Sequence, residues 1–101
     1  MQLQIVESNG IHEINGDITK ENIEVVKTYL ETVLDANDIH IIDLNKVNKI
    51  DIYGINLLIS FYRNIELQNK RVLLLGYNNR GIKSMLLQTK MSFILSDVFQ
   101  K

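Results

Sequence analysis

The stretch RVLLLGYNNRGIKS, Arg71 to Ser84, holds the residues most suggestive of catalysis: an apolar run, Gly76, four residues, Gly81, then Lys83-Ser84 opening a helical pattern. That order is close to a phosphate-cradling loop, in which backbone amides and a lysine hold the phosphates of a nucleotide and a hydroxyl holds Mg²⁺. The match is out by one, because Ile82 stands between Gly81 and Lys83. One extra residue turns the lysine and serine by roughly 100° about a helix axis, away from the phosphates. The expectation is a strand-end turn in which Gly81 relieves backbone strain and Lys83 and Ser84 lie on a solvated face. Nucleotide binding stays open only as a minor alternative.

Three carboxylates, Asp17, Asp43 and Asp51, fall near expected strand ends, and if they met they would form an oxygen-ligand site suited to Mg²⁺. A plainer role fits them better: Asp17 and Asp51 stand where helix starts favour carboxylates, and Asp43 closes a strand. The adjacent acidic pair of an aspartate receiver is missing. His12 and His40 sit in expected strands without partners at ligand spacing, so packing or surface roles are assigned to them. There is no cysteine, which removes thiol nucleophiles, disulfides and cysteine zinc sites. The spacing assembles no Ser/His/Asp arrangement. No catalysis, metal or cofactor is expected.

The remaining constellation is KIDIYGINLL, Lys49 to Leu58. A capping aspartate, two residues, a glycine and an amphipathic run describe a helix beginning straight after a strand. Such a start presents unpaired backbone N–H groups and the positive end of the helix dipole. Asp51 can satisfy them, and a phosphate on a neighbouring residue can be held there too. A charge-based switch suits this position, yet the residue before Gly54 is the bulky Tyr53.

The elements that position this junction follow from periodicity. Leu3 to Glu7 and Ile11 to Ile14, separated by Ser8-Asn9-Gly10, predict a hairpin. Thr19 is the candidate N-cap of a first helix whose stripe is Ile23, Val26, Leu30, Val33 and Leu34, ending near Ala36 to Asp38. Ile39 to Leu44 and Arg71 to Gly76 read as strands, the first dense enough to be covered on both faces. A second helix from about Tyr53 to Gln68 faces inward through Ile55, Leu58, Ile59, Tyr62 and Ile65, leaving Asn56, Ser60 and Arg63 on an outward stripe. Together with Tyr53 and the loop Asn45 to Lys49, that stripe is expected to form one patch. A third helix carries Ile82, Met85 and Leu86. The apolar tail, Met91 to Phe99, is expected to pack as a last strand or short helix.

With 101 residues the chain makes one α/β domain over 1–101, a small mixed sheet of four to five strands with helices packed on it. Eleven basic and twelve acidic residues, without blocks, give no footprint for nucleic acid. Nothing approaches a membrane span or a signal peptide, so no membrane insertion and a cytoplasmic location are expected.

From Ile11 to Leu95 the residues resemble a STAS domain of the anti-sigma-factor-antagonist type. Gly16-Asp17-Ile18-Thr19 is similar to that family's G-E-L-D, with Thr19 in place of the last acid. Ile41-Ile42-Asp43-Leu44, Val47 and Ile50-Asp51 follow its central strand-and-loop pattern. Asp51-Ile52-Tyr53-Gly54-Ile55 falls on D-S-S-G-L, and Leu73-Leu74-Leu75-Gly76 with Leu86-Leu87-Gln88-Thr89 falls on its closing motif; Lys90 stands where glycine is frequent. The resemblance implies a non-enzymatic regulator of transcription that binds an anti-sigma factor, another GHKL-type regulator or another STAS-containing protein, with a homodimer also allowed. In the family the serine before the glycine is phosphorylated to block docking. Here the two serine positions are Ile52 and Tyr53, which a serine kinase does not modify. The implied partner surface is Asp51, Tyr53, Gly54, Asn56, Ser60 and Arg63, with Tyr53 as an anchor rather than a switch. The alternative implied role is an accessory subunit of an ABC-type lipid transporter.

Overall fold

The computed structural model describes residues 2–36, 39–76, 78–91 and 94–96. The chain opens with β1 (Gln4–Ser8) and β2 (Ile11–Ile18), joined through Asn9 and Gly10 at φ 54° and 82°. Two consecutive positive φ values give the tight turn whose twist matches the strands it connects. The Glu7 carboxylate accepts a hydrogen bond from the Gly10 amide at 2.8 Å and fastens the turn.

β2 runs further than the sequence pattern indicates, taking in Gly16, Asp17 and Ile18. The reason is a second partner. Ile11 to Glu13 pair in parallel with β3 (Ile39–Asp43), and Gly16 and Ile18 then pair with β4 (Val47–Ile50), opposite Val47 and Ile50. The loop expected over Asn45 to Lys49 is thus a strand from Val47 onward. The register shifts between Gly16 and Ile18, and Gly16 adopts φ 106° there. A Cβ on Gly16 would stand 2.5 Å from the Gln2 carbonyl oxygen, so the shift and the close approach both select glycine. Asp17 is accordingly a strand residue, not a helix-start carboxylate; it accepts from the Asn48 side chain at 3.3 Å.

α1 spans Ile23–Ala36. Thr19 does not cap it, because a turn intervenes: the Asn22 amide donates to the Thr19 carbonyl at 3.0 Å, and the Thr19 amide donates to Asn22 Oδ1 at 2.9 Å. Asn22 holds the start of the helix instead, its carbonyl receiving the Val25 and Val26 amides. The Thr19 hydroxyl donates to Glu21 at 2.8 Å, and that bond holds the Glu21 carboxyl below its usual value. Val26, Leu30 and Val33 bury the expected stripe; the side chain of Leu34 lies outside the described residues, as does the chain at 37–38 where the helix was expected to stop.

The remaining elements are α2 (Ile52–Leu67), β5 (Arg71–Leu75), α3 (Arg80–Gln88) and β6 (Leu95–Ser96). The sheet runs β1-β2-β3-β5-β6 with β4 attached to β2 off that path; β1–β2 is antiparallel and the other pairs are parallel. The expected βαβ unit is present, with β3 and β5 paired from Ile39↔Arg71 to Asp43↔Leu75. Ile14, Ile42 and Leu74 are fully buried on one sheet face beneath Ile55, Leu58, Phe61 and Ile65 of α2. Phe61 joins this face although the predicted set omits it, while Ile59 and Tyr62 are only partly buried. On the other face Ile11, Ile41 and Leu73 stand in register, partly buried and apart from the core cluster, so β3 is enclosed on one side rather than two. In the tail Ile94 and Leu95 are buried and Leu95–Ser96 forms a strand; Phe93, Val98 and Phe99 lie outside the described residues.

Both α2 and α3 end with a left-handed residue, Asn69 at φ 58° and Lys90 at φ 60°. In each case the following amide reaches back, Lys70 to the Ile65 carbonyl at 3.0 Å and Met91 to the Leu86 carbonyl at 2.8 Å. Asparagine tolerates that conformation; lysine carries the Cβ penalty. Lys90→Gly is therefore expected to raise stability by about 0.5–1 kcal/mol, or a few degrees in melting temperature, while Asn69→Gly is near neutral. Thermal melts of the two variants check this; an equal gain at both positions would remove the distinction.

Candidate functional site

α2 starts as the sequence indicates. Asp51, extended at φ −111°, is its N-cap, and its Oδ1 accepts from the Gly54 amide at 3.0 Å. Its other oxygen does something the sequence does not show: Oδ2 accepts from the Lys20 amide at 2.9 Å. The Asp51 amide in turn donates to the Ile18 carbonyl at 3.3 Å. One aspartate thus ties the end of β2, the turn before α1 and the start of α2 together.

Gly54 sets how closely these parts approach. It is buried, and a Cβ there would stand 2.5 Å from the Ile18 carbonyl oxygen and 2.7 Å from Ile50 Cγ1. This corrects its assignment to the partner-contacting set: Gly54 faces inward and shapes the surface from below. The two residues before it face outward, Ile52 at 48% exposure and Tyr53 at 50%. The Lys20 ammonium lies over the Tyr53 ring, 5.7 Å from its centroid, so the exposed tip combines an aliphatic, an aromatic and a cationic group.

Asn56, Ser60 and Arg63 are exposed, as expected of the outward stripe. They do not share one recess. Ser60 lines a cleft of about 260 Å³ between α1 and α2, with Lys27, Glu31, Leu57 and Asn64. Arg63 leans the other way, its guanidinium 4.0 Å from Met91 Sδ. The Asn48–Lys49 end of β4 opens instead onto a cleft of about 520 Å³ together with Thr19, Asp51, Asn79 and Ser84.

The loop after β5 is held by Asn79, a residue the sequence reading passed over. Asn79 caps α3 by accepting from the Ile82 amide at 3.3 Å, and its Nδ2 donates to the carbonyls of Leu44 and Val47, both at 2.9 Å. Two amides of this loop are taken within it, Asn79 donating to the Gly76 carbonyl and Lys83 to the Asn79 carbonyl, each at 2.9 Å. Gly81 is helical without positive φ, and a Cβ on it meets Asn79 Oδ1 at an ordinary 3.6 Å, so it relieves no strain. Ser84 is exposed and Lys83 partly buried. The only sequence signal for Asn79 was its place just before a helical pattern, where asparagine is a favoured cap.

Among the described residues no group of three acidic or histidine side chains is placed to hold a metal. Asp43 accepts from the Asn45 amide at 2.9 Å, and His12 Nδ1 meets the Tyr29 hydroxyl at 2.6 Å. The side chain of His40 lies outside the described residues. No described helix is long and apolar enough to cross a membrane.

Residues 1–101 match the family described as the STAS domain. Among solved structures, the chain is similar to the anti-sigma factor antagonist SpoIIAA of Bacillus in its unphosphorylated form, with 15% identity, TM-score 0.72, and 94% of this chain and 86% of that one covered. An anti-sigma factor antagonist from Mycobacterium paratuberculosis matches with 15% identity and TM-score 0.71, covering 93% and 81%. A sulfate transporter family protein from Wolinella succinogenes matches with 26% identity and TM-score 0.65, covering 91% and 76%. No curated protein matches the sequence.

Proposed function

The chain belongs to the STAS domain family, and from that premise we propose that it is a non-enzymatic docking module of the anti-sigma-factor-antagonist type, acting without a serine switch. The observation that carries this reading is the start of α2, where Ile52 and Tyr53 project half-exposed while the helix-start amide of Gly54 and the nearby Lys20 amide are taken by Asp51. Large exposed side chains on a firmly capped helix suit a protein contact. Tyrosine and arginine commonly anchor such contacts, and Tyr53 with Arg63 fills that role here. The partner is an anti-sigma factor, another GHKL-type regulator or another STAS-containing protein, and the site of action is the cytoplasm.

The test combines two readouts on one mixture of the protein, its cognate serine kinase regulator and ATP. Peptide mass spectrometry is expected to find residues 50–58 unmodified, with the complex persisting. Tyr53→Ala is expected to weaken binding by about 2 kcal/mol, some thirtyfold, with circular dichroism and melting unchanged, because the ring is half in solvent. Stoichiometric phosphate on this segment, or undiminished binding by the variant, overturns the assignment. A second reading, an accessory module of a membrane transporter, draws on the 26% identity to the Wolinella protein. It is favoured if the bound partner proves to be a permease or its ATPase.

A further inference from the structure

β1 is an edge strand whose only ladder partner among the described residues is β2. Its register fixes which backbone groups face outward. Ser8 and Ile11 close a two-residue turn, so they form a hydrogen-bonded pair, and the alternation along an antiparallel ladder then turns Ser8, Val6 and Gln4 toward β2. Ile5 and Glu7 consequently direct their N–H and C=O groups away from the sheet. Edges of this kind are ordinarily blunted by proline, lysine or a bulge. β1 has none of these: its sequence is QIVES, its five pairs to β2 run without a shift, and the bulge lies further on, between Gly16 and Ile18. Its only charge is Glu7, and that carboxylate is bonded to Gly10 at the turn. Val6, at the strand centre, is 49% exposed.

We infer that β1 is a pairing edge for a second copy of this chain, with the two β1 strands antiparallel about a two-fold axis through Val6. That register sets Ile5 opposite Glu7 of the second copy, so the outward N–H and C=O groups of both satisfy one another. Gln4 then faces Ser8, and Val6 meets Val6 in the close, non-hydrogen-bonded kind of pair, burying the exposed methyls. No like charges stand opposite each other, whereas centring on Glu7 would oppose two carboxylates. A net charge of −1 adds little repulsion between copies. The occupant is a second copy because under this rotation the edge is complementary to itself and buries the exposed Val6. The inference is independent of the docking role assigned to α2.

Since the chain has no cysteine, single substitutions report the register directly. In the full chain under mild oxidant, Val6→Cys is expected to form a disulfide-linked dimer about tenfold faster than Ser8→Cys, whose thiol faces Gln4 across the axis rather than itself. Sedimentation of the unsubstituted protein over a concentration series is expected to show a reversible monomer–dimer equilibrium, and Val6→Lys to remain monomeric with an unchanged melting temperature at low concentration. Equal cross-linking rates for the two cysteine variants overturn the register. A strictly monomeric unsubstituted protein, or a dimer that survives Val6→Lys, overturns the interface.

Discussion

Gly54→Ala is expected to melt well below the unsubstituted protein, although the same change at an open helical position would stabilise. In a helix interior alanine is favoured over glycine by roughly 0.5–1 kcal/mol. At Gly54 the added Cβ arrives 2.5 Å from the Ile18 carbonyl oxygen and 3.0 Å from Ile18 Cγ2, with Ile50 Cγ1 at 2.7 Å. The nearest obstacle is backbone, fixed by the pairing of Ile18 with Ile50, so α2 itself must rise from the sheet. Overpacking of this kind costs about 1–3 kcal/mol, and the rigid obstacle places Gly54→Ala at the upper end, a fall of some 12–24 °C for a domain of this size. Thermal denaturation followed by circular dichroism measures it. A melting temperature at or above the unsubstituted value would mean that the contact yields, and that Gly54 does not determine the height of α2.

The second large effect is expected at Asn79. Asn79→Ala removes the cap on the Ile82 amide and both donations that fasten the α3 start to the Leu44–Val47 turn. A lost cap costs about 1 kcal/mol and each lost side-chain bond a similar amount, giving about 2–3 kcal/mol in all. Asn79→Asp separates the contributions. Aspartate is as good a cap as asparagine, yet it cannot donate and would set a carboxylate against two carbonyl oxygens. Its stability is expected to be no better than that of the alanine variant. If Asn79→Asp melts like the unsubstituted protein, only the cap matters and the two donated bonds contribute nothing.

These two positions also mark what could be read from the sequence. Periodicity locates a helix by its buried stripe, so α2 and its Asp51 cap were legible within a residue or so, and the dense runs at Ile39–Asp43 and Arg71–Leu75 were legible as neighbouring strands. β4 was not. It is four residues long with the burial of a turn, and it exists because Gly16–Ile18 offers it a ladder; pairing of that sort has no local signature. The same holds for Thr19, a good cap by type, which lost that role to a turn closed by Asn22. At the site, Asp51 was legible as a cap but its bond to Lys20 was not, since it joins residues 31 apart. Gly54 was recognised as important but placed on the wrong side of the helix, because a glycine carries no hydrophobicity to show which way it faces.

The two-partner course of β2 bears on how the chain reaches this structure. Only its pairing with β1 joins neighbours in sequence; Ile11 to Ile41, Gly16 to Val47 and Ile39 to Arg71 each close a long stretch of chain. A hairpin closes in about 1–10 μs, whereas parallel pairs wait for the intervening helices and meet the entropy of long loops first. The first hairpin is therefore expected to close first, although a lone two-stranded hairpin is marginally stable and gains permanence only from further strands. Until β3 and β4 pair with it, β2 is itself an open edge on the side they take. The folding rate is accordingly expected to follow how soon a strand from later in the chain finds that edge.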